Sequence, residues 1–333
     1  MNNRPTIVVV TPVRNEAWVI DAFLTCASSW ADYIFLADQH SDDGTREIAS
    51  KYEKVKLIDN DLAEMNQAAT RELLFQEADK IEGDKIVFAL DADEFLSEGF
   101  EKTEDWRRIM ESKPNEIFCF KWLNLYGDYK HVVPNTGYME WACHFGPGTS
   151  LAQEYHNYER RAVHEMRVPC LPTTRVSYIL LDEIKFVHLA RLNLVRQKNK
   201  EAFYQVSSVA KLQKRMSAIG LYRSYNSPQS EKEVLNGEVS LYISNTGLDA
   251  RNLVKMGDEG QYYIDEIVKI LRRDGYKKYL KIDIWDNPYL IKAGISPKVP
   301  LRYKLLHAYL RNTRNQVDKK AVRWLDRILK VFV

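Results

Sequence analysis

The chain has 333 residues, of which 45% are hydrophobic, 28% charged and 11% aromatic. That is ordinary folded composition, enough for one large domain or a domain with an extension, and it excludes collagen-like, repeat-array and disordered classes. The net charge of +2 hides an asymmetry: residues 301–333 hold nine Lys/Arg against two Asp/Glu (+7), and the other 300 hold 39 against 44 (−5).

In chain order, Thr6–Thr11 is a β-branched apolar run that predicts a strand ended by Pro12. An amphipathic helix is expected from Asn15 or Glu16 to about Ser29, with Val19, Ile20, Phe23 and Leu24 on its apolar face. Tyr33–Ala37 predicts a second strand, followed by the polar turn Asp38–Thr45 and a helix over Thr45–Tyr52. Val55–Ile58 predicts a third strand, Leu62–Ala78 a helix, and Lys85–Leu90 a fourth strand running into Asp91. This β-α-β-α-β-α-β order predicts a parallel sheet with helices on both faces. Such sheets bind ligands at the carboxyl ends of their strands, so Thr11–Glu16, Asp38–Thr45 and Asp91–Glu94 should converge in one cleft.

Beyond Glu116 the pattern changes. Ile117–Trp122, Val176–Leu181 and Lys185–Leu189 read as short strands between aromatic and His-rich loops. Helices are expected at Leu192–Arg215 and Asp258–Arg273, while residues 221–256 are poorly patterned. Residues 301–333 read as one or two basic amphipathic helices, with Val317, Ala321, Trp324, Leu325, Ile328 and Phe332 on one stripe. The longest wholly apolar runs, such as Ile7–Val10, are too short to span a bilayer, and the N-terminus shows no secretory signal. Cys26, Cys119, Cys143 and Cys170 are far apart without a C-x-x-C pair, so reduced thiols in the cytoplasm are the simpler expectation.

The chemistry concentrates in Leu90-Asp91-Ala92-Asp93-Glu94. Carboxylates two residues apart at a strand end can be presented together to one hard cation, and Mg²⁺ or Mn²⁺ completes such a shell with phosphate oxygens and water. The ion offsets the charge of a diphosphate leaving group. Two solvated turn carboxylates would carry the same letters; the apolar strand before them and Glu94-Phe95 after them favour the metal.

Three segments together resemble family 2 glycosyltransferases of the GT-A fold. Thr11-Pro12-Val13-Arg14-Asn15-Glu16 looks like that family's opening T-P-x-x-N-E. Asp38–Thr45 resembles its D-D-G-S-T-D-G-T turn, with Gln39 and His40 departing from it, and Asp91-Ala92-Asp93 resembles its D-x-D. Farther on, Arg160-Arg161-Ala162-Val163-His164-Glu165 and Phe186-Val187-His188 are similar to segments of bacterial members that build lipopolysaccharide and capsule. The resemblance implies an α/β GT-A fold, with a mostly parallel sheet and a C-terminal helical extension. It implies a nucleotide-sugar site at Thr11, Pro12, Asn15, Glu16, Asp38, Arg71, Asp91 and Ala92, with Asp38 accepting from the base, uracil in most relatives. Mn²⁺ or Mg²⁺ would be held by Asp91, Asp93 and His188. Transfer would be inverting, with a carboxylate as general base. Glu165 is favoured over the Glu104-Asp105 and Asp182-Glu183 pairs, and His164 would position the acceptor or act as base itself.

The expected organisation is a catalytic domain over residues 1–215, with a nucleotide-sugar half (1–110) and an acceptor half (111–215), then a helical extension over 216–333. The partners implied are a nucleotide-sugar donor and a glycan or lipid-linked acceptor. The basic residues 301–333 suit anionic lipid at the inner face of the plasma membrane, or a stripe packed on the domain. No nucleic-acid module is present to make that tail a nucleic-acid site. Two rival readings are a catalytically inactive nucleotide- or glycan-binding protein on the same fold and a D-x-D phosphotransferase. The latter normally carries its motif on a first strand, whereas this one follows the fourth. No G-x-G-x-x-G follows any strand.

Overall fold

A computed structural model describes residues 4–62, 66–135, 137–156, 167–168, 177–211, 217–226, 235–237, 239–243 and 248–332. Four strands, Thr6–Val13 (β1), Tyr33–Asp38 (β2), Val55–Asp59 (β3) and Lys85–Ala89 (β4), lie side by side as β3-β2-β1-β4, all parallel. Burial on both faces explains their composition. Ile7, Val9, Ile34, Leu36, Ile86 and Phe88 point into a core shared with Phe23 and Leu24 of the helix Ile20–Trp30 (α1). The alternate residues Val8, Val10, Phe35, Ala37, Val87 and Ala89 meet Ala68, Leu74 and Phe75 of a second helix on the opposite face.

Four elements differ in their bounds from expectation. β1 continues through Pro12, because it pairs with β4 only as far as Val10 and beyond that only with β2. The missing N–H of Pro12 therefore costs no ladder bond on the β4 side. α1 starts at Ile20 rather than at Asn15. Asn15 is left-handed (φ 56°), and the backbone N–H groups of residues 15–17 are taken by side chains of the following turn. Thr45–Ala49 (α2) is a short helix, and Gln67–Ala78 (α3) begins late, where the Asn66 side chain caps it by accepting from the Ala69 N–H at 3.2 Å.

The rest of the sheet is mixed. Glu94–Leu96 (β5), Glu116–Leu125 (β6), His131–Pro134 (β7), Met139–Phe145 (β8) and Ser177–His188 (β9) extend it beyond β4, with β8 antiparallel to β4 and to β6. The two strands expected at 176–181 and 185–189 are one, since a bulge opposite Phe120/Lys121 absorbs Asp182–Ile184. β9 runs parallel to β6 and antiparallel to β5, and the β5 register sets His188 opposite Glu94. Glu104 and Asp105 open the helix Glu104–Met110 (α4), and Leu151–His156 (α5) follows β8.

The chain forms two compact units: residues 1–192 with 235–256, and residues 193–234 with 257–333. One unit passes to the other at Leu192/Asn193, and the stretch 221–256 contributes to both. The second unit is helical: Leu194–Ala210 (α6), Ala218–Tyr225 (α7), Gln261–Asp274 (α8), Pro288–Lys292 (α9), Leu301–Asn312 (α10) and Lys320–Phe332 (α11). Asn193 caps α6 and also donates to the Asp258 carbonyl, while Arg196 pairs with the Asp258 carboxylate at 3.0 Å, tying α6 to the segment before α8.

Candidate active site

The carboxyl ends of β1, β2 and β4 bring the three polar segments together. Val13 is in register with Asp38, and the Leu90 N–H donates to the Val10 carbonyl. The first loop is fastened to the second by side chains. Asn15 donates from Nδ2 to Asp42 Oδ1 at 2.9 Å and accepts at Oδ1 from the Asp42 N–H at 3.0 Å. The Asn15, Glu16 and Ala17 N–H groups donate to Ser41, Thr45 and Asp43. Two of the residues expected at the nucleotide thus have structural work: Asn15 locks the loops, and Glu16 accepts from the Trp18 indole at 2.5 Å.

Other groups here are buried with hydrogen-bonding capacity unused. Thr11 Oγ1 in β1 has no hydrogen-bond partner. Asp38 Oδ2 accepts from the Ser41 N–H (3.2 Å) and from Arg46 (2.8 Å), while its Oδ1 has none. Arg46 also reaches Asp59, clamping the ends of β2 and β3. Arg71, buried in the second turn of α3, donates from Nη2 to Asp91 at 3.2 Å, and its Nε and Nη1 have no partner. Burial pushes the Arg71 guanidinium below its ordinary pKa range, against the pull of Asp91. Pro12 is half-buried in β1, and Ala92 is buried beneath the turn between the two aspartates.

The aspartates have different partners. Asp91 is gripped by two arginines, Arg71 at Oδ1 and Arg167 at Oδ2 (3.1 Å). Arg167 also makes a bidentate pair with the fully buried Glu94, at 2.6 and 2.7 Å, donates to the Ala89 carbonyl at 3.3 Å, and lies 5.2 Å from the Trp141 ring centre. Glu94 closes the turn by accepting from the Asp91 N–H at 2.9 Å and from the Trp141 indole at 3.1 Å. Burial pushes the Glu94 carboxyl up from its ordinary value, with Arg167 opposing. Burial likewise works against the Arg167 charge, but Asp91 and Glu94 outweigh it and raise its pKa.

Asp93 turns to β9. Its Oδ1 lies 3.6 Å from His188 Nε2. His188 Nδ1 donates to Asn124 Oδ1 at 2.8 Å, and the imidazole stacks on Trp122 with centroids 5.7 Å apart. With Nδ1 so engaged, Nε2 is the ring atom turned to the carboxylate, and this oxygen and nitrogen are the pair that could hold a divalent cation. No cluster of three or more protein ligands exists among the described residues.

His164 and Glu165 lie outside the described residues, so the expected base has no described position. Of the alternatives, Glu104 is exposed and paired with Arg107. Asp105 accepts from the Glu183 and Ile184 N–H groups, and Asp182 pairs with Lys121, so these carboxylates fasten β9 to its neighbours. Sequence reasoning missed Arg167, Trp141 and Asn124. A buried acidic residue directly after the D-x-D calls for a cation, but nothing in the sequence says that the cation stands 73 residues away.

Residues 8–160 match the family model for glycosyl transferase family 2. No curated protein matches the chain. Among similar solved structures, a 4-diphosphocytidyl-2C-methyl-D-erythritol synthase is 11% identical over 55% of this chain and 91% of its own, with a TM-score of 0.38. A mannosyl-3-phosphoglycerate synthase from Rubrobacter xylanophilus is 18% identical over 37% of this chain and 41% of its own (TM-score 0.27). A glucosyl-3-phosphoglycerate synthase from Mycobacterium tuberculosis, in complex with Mn²⁺, UDP and glucosyl-3-phosphoglycerate, is 14% identical over 37% and 44% (TM-score 0.27). The chain thus spans under half the length of these last two. Thr11, Asp38, Arg71, Asp91 and Asp93 all lie inside the matched residues, so residues 8–160 form a glycosyl transferase family 2 domain.

Proposed function

We propose that the chain moves a sugar from a nucleoside-diphosphate sugar, with UDP as the nucleotide, to a hydroxyl of a glycan or lipid-linked acceptor in cell-surface polysaccharide synthesis. Transfer is inverting, and the enzyme works in the cytoplasm. The observation that carries the reading is the set of unpaired buried groups beside the carboxyl ends of β1, β2 and β4: Thr11 Oγ1, Asp38 Oδ1, and Arg71 Nε and Nη1. A buried polar group without a partner costs about 1–3 kcal/mol, so such a set is complementary to a polar ligand. Asp38 offers an acceptor to a base N–H, and Arg71 offers donors to a carbonyl or phosphate oxygen.

In this reading Arg71 and Arg167 hold positive charge beside the diphosphate, each kept in place by Asp91. Asp93 and His188 hold Mn²⁺ or Mg²⁺, with Asp91 as a further candidate ligand; when bound, the ion offsets charge developing on the leaving diphosphate. Asn124 fixes the His188 ring so that Nε2 is the ligating atom. Glu165 takes the proton from the acceptor hydroxyl as that oxygen attacks the anomeric carbon, with His164 orienting the hydroxyl.

A thermal-shift screen of nucleotide sugars with and without Mn²⁺ tests the reading. A UDP-sugar should raise the melting temperature more in the presence of Mn²⁺. No shift from any nucleotide sugar would overturn it. Binding without release of nucleoside diphosphate in the presence of any glycan acceptor would instead point to the inactive binding protein.

A further inference from the structure

The second unit ends in two helices whose packing is set by one half-buried charge. Asp326 of α11 receives Arg223 of α7 at 3.0 and 3.1 Å and the Tyr309 hydroxyl of α10 at 2.8 Å. Arg223 also donates to the Thr313 hydroxyl at 2.7 Å. Val322, one turn before Asp326, is buried on the same side. In a helix this fixes where every other residue points. The face packed inward is the one bearing Val322 and Asp326, not the apolar stripe seen in the sequence.

Three members of that stripe are left in solvent. Trp324 is 62% exposed, Leu325 38% and Ile328 37%, and in α10 Leu301 is 71% and Leu305 63% exposed. Lys320, Arg323, Arg327 and Lys330 occupy the remaining side of α11, all exposed. The one acidic residue of the helix, Asp326, is turned inward, and Asp318, just before it, lies 3.6 Å from Arg323. A helix with a packed face, a bare apolar face carrying a tryptophan, and a basic flank is chemically matched to an anionic lipid surface. A nucleic acid would use the basic flank and leave the apolar face without a role. None of the described helices is long and apolar enough to cross a membrane, so the contact is one of lying on the surface.

We propose that α11 is a membrane-docking helix: Trp324, Leu325 and Ile328 enter the interface of an anionic bilayer while Lys320, Arg323, Arg327 and Lys330 meet its headgroups. The proposal rests on the geometry of the second unit alone, so its failure leaves the proposed reaction standing.

Co-sedimentation of the full chain with phosphatidylcholine vesicles, with and without phosphatidylglycerol, tests it. The wild type should pellet with the anionic vesicles and be released by high salt. Trp324→Ser/Leu325→Ser/Ile328→Ser should abolish binding, and Lys320→Gln/Arg323→Gln/Arg327→Gln/Lys330→Gln should weaken it by on the order of a thousandfold. Both variants should keep the wild-type melting temperature, because all seven side chains are exposed. Failure of the wild type to bind anionic vesicles at low salt would overturn the proposal. So would unchanged binding by the apolar variant, or a wild-type dimer in sedimentation velocity that this variant makes monomeric, which would assign the face to a second copy of the chain.

Discussion

Arg167 and Glu94 meet in a bidentate pair buried beneath the D-x-D turn, and the same guanidinium holds the outer oxygen of Asp91. The turn is therefore shaped from below: Glu94 closes it through the Asp91 N–H, and Arg167 braces its first carboxylate. Removing one member of such a pair strands a buried charge, at a cost of about 3–5 kcal/mol. Glu94→Ala should lower stability by that order in urea denaturation. Glu94→Leu combined with Arg167→Met should cost less than the two single changes added together. Additive losses would mean that the pair is not energetically coupled.

The split between the aspartates makes a second expectation. Asp93→Asn and His188→Gln should each remove the Mn²⁺ dependence of UDP binding in calorimetry, since each deletes one of two converging donors. Asn124→Ala should weaken metal binding by about 10–100-fold by freeing the ring. Asp91→Asn should alter nucleotide affinity while leaving metal dependence in place, because both its oxygens already serve arginines. Loss of metal dependence in Asp91→Asn would make it a ligand as well.

The parallel half of the fold was legible because its strands are buried on both faces and must be apolar throughout, so Ile7–Val10 and Ile86–Ala89 announce themselves. Helix starts were less so: an amphipathic pattern from Glu16 onward does not reveal that side chains from residues 41–45 have captured the preceding N–H groups. The mixed part of the sheet was legible only in part. Pairing of β5 with β9 brings Asp93 to His188 across 95 residues of chain, and periodicity carries no information about such pairings. Asn193–Val234 joins the helical unit for the same reason: its contacts, such as Arg196 with Asp258, are distant in sequence.

Asn15 supplies a third expectation. Its left-handed backbone suits asparagine or glycine, and its amide is satisfied in both directions by Asp42. Asn15→Ala should cost roughly 2 kcal/mol, about half from lost hydrogen bonds and half from strain. Asn15→Gly relieves the strain and keeps the hydrogen-bond loss, so it should fall between alanine and wild type in melting temperature. Equal losses for both would assign the whole effect to the Asp42 contact.

His144 sets a pH dependence independent of the proposed chemistry. It is buried in β8, with Nδ1 2.8 Å from the Ser112 hydroxyl and Nε2 without a hydrogen-bond partner, 4.0 Å from Asp84. Burial holds its pKa below the ordinary 6.5, and Asp84 offsets this only in part. Below pH 6.5 the unfolded chain therefore takes up a proton that the native chain refuses. More protons bound in the unfolded state means that stability rises with pH, so this contribution is complete above about pH 6.5 and is lost as pH falls toward the depressed native pKa. The slope is at most about 1.4 kcal/mol per pH unit for one histidine. His307 in the second unit is depressed by burial in the same direction, so the wild type should carry both effects. Urea denaturation at pH 7.5 and 5.5 should show a loss on acidification that is smaller in His144→Gln than in wild type. An identical loss in the two proteins would mean that His144 is protonated as readily in the fold as in the open chain.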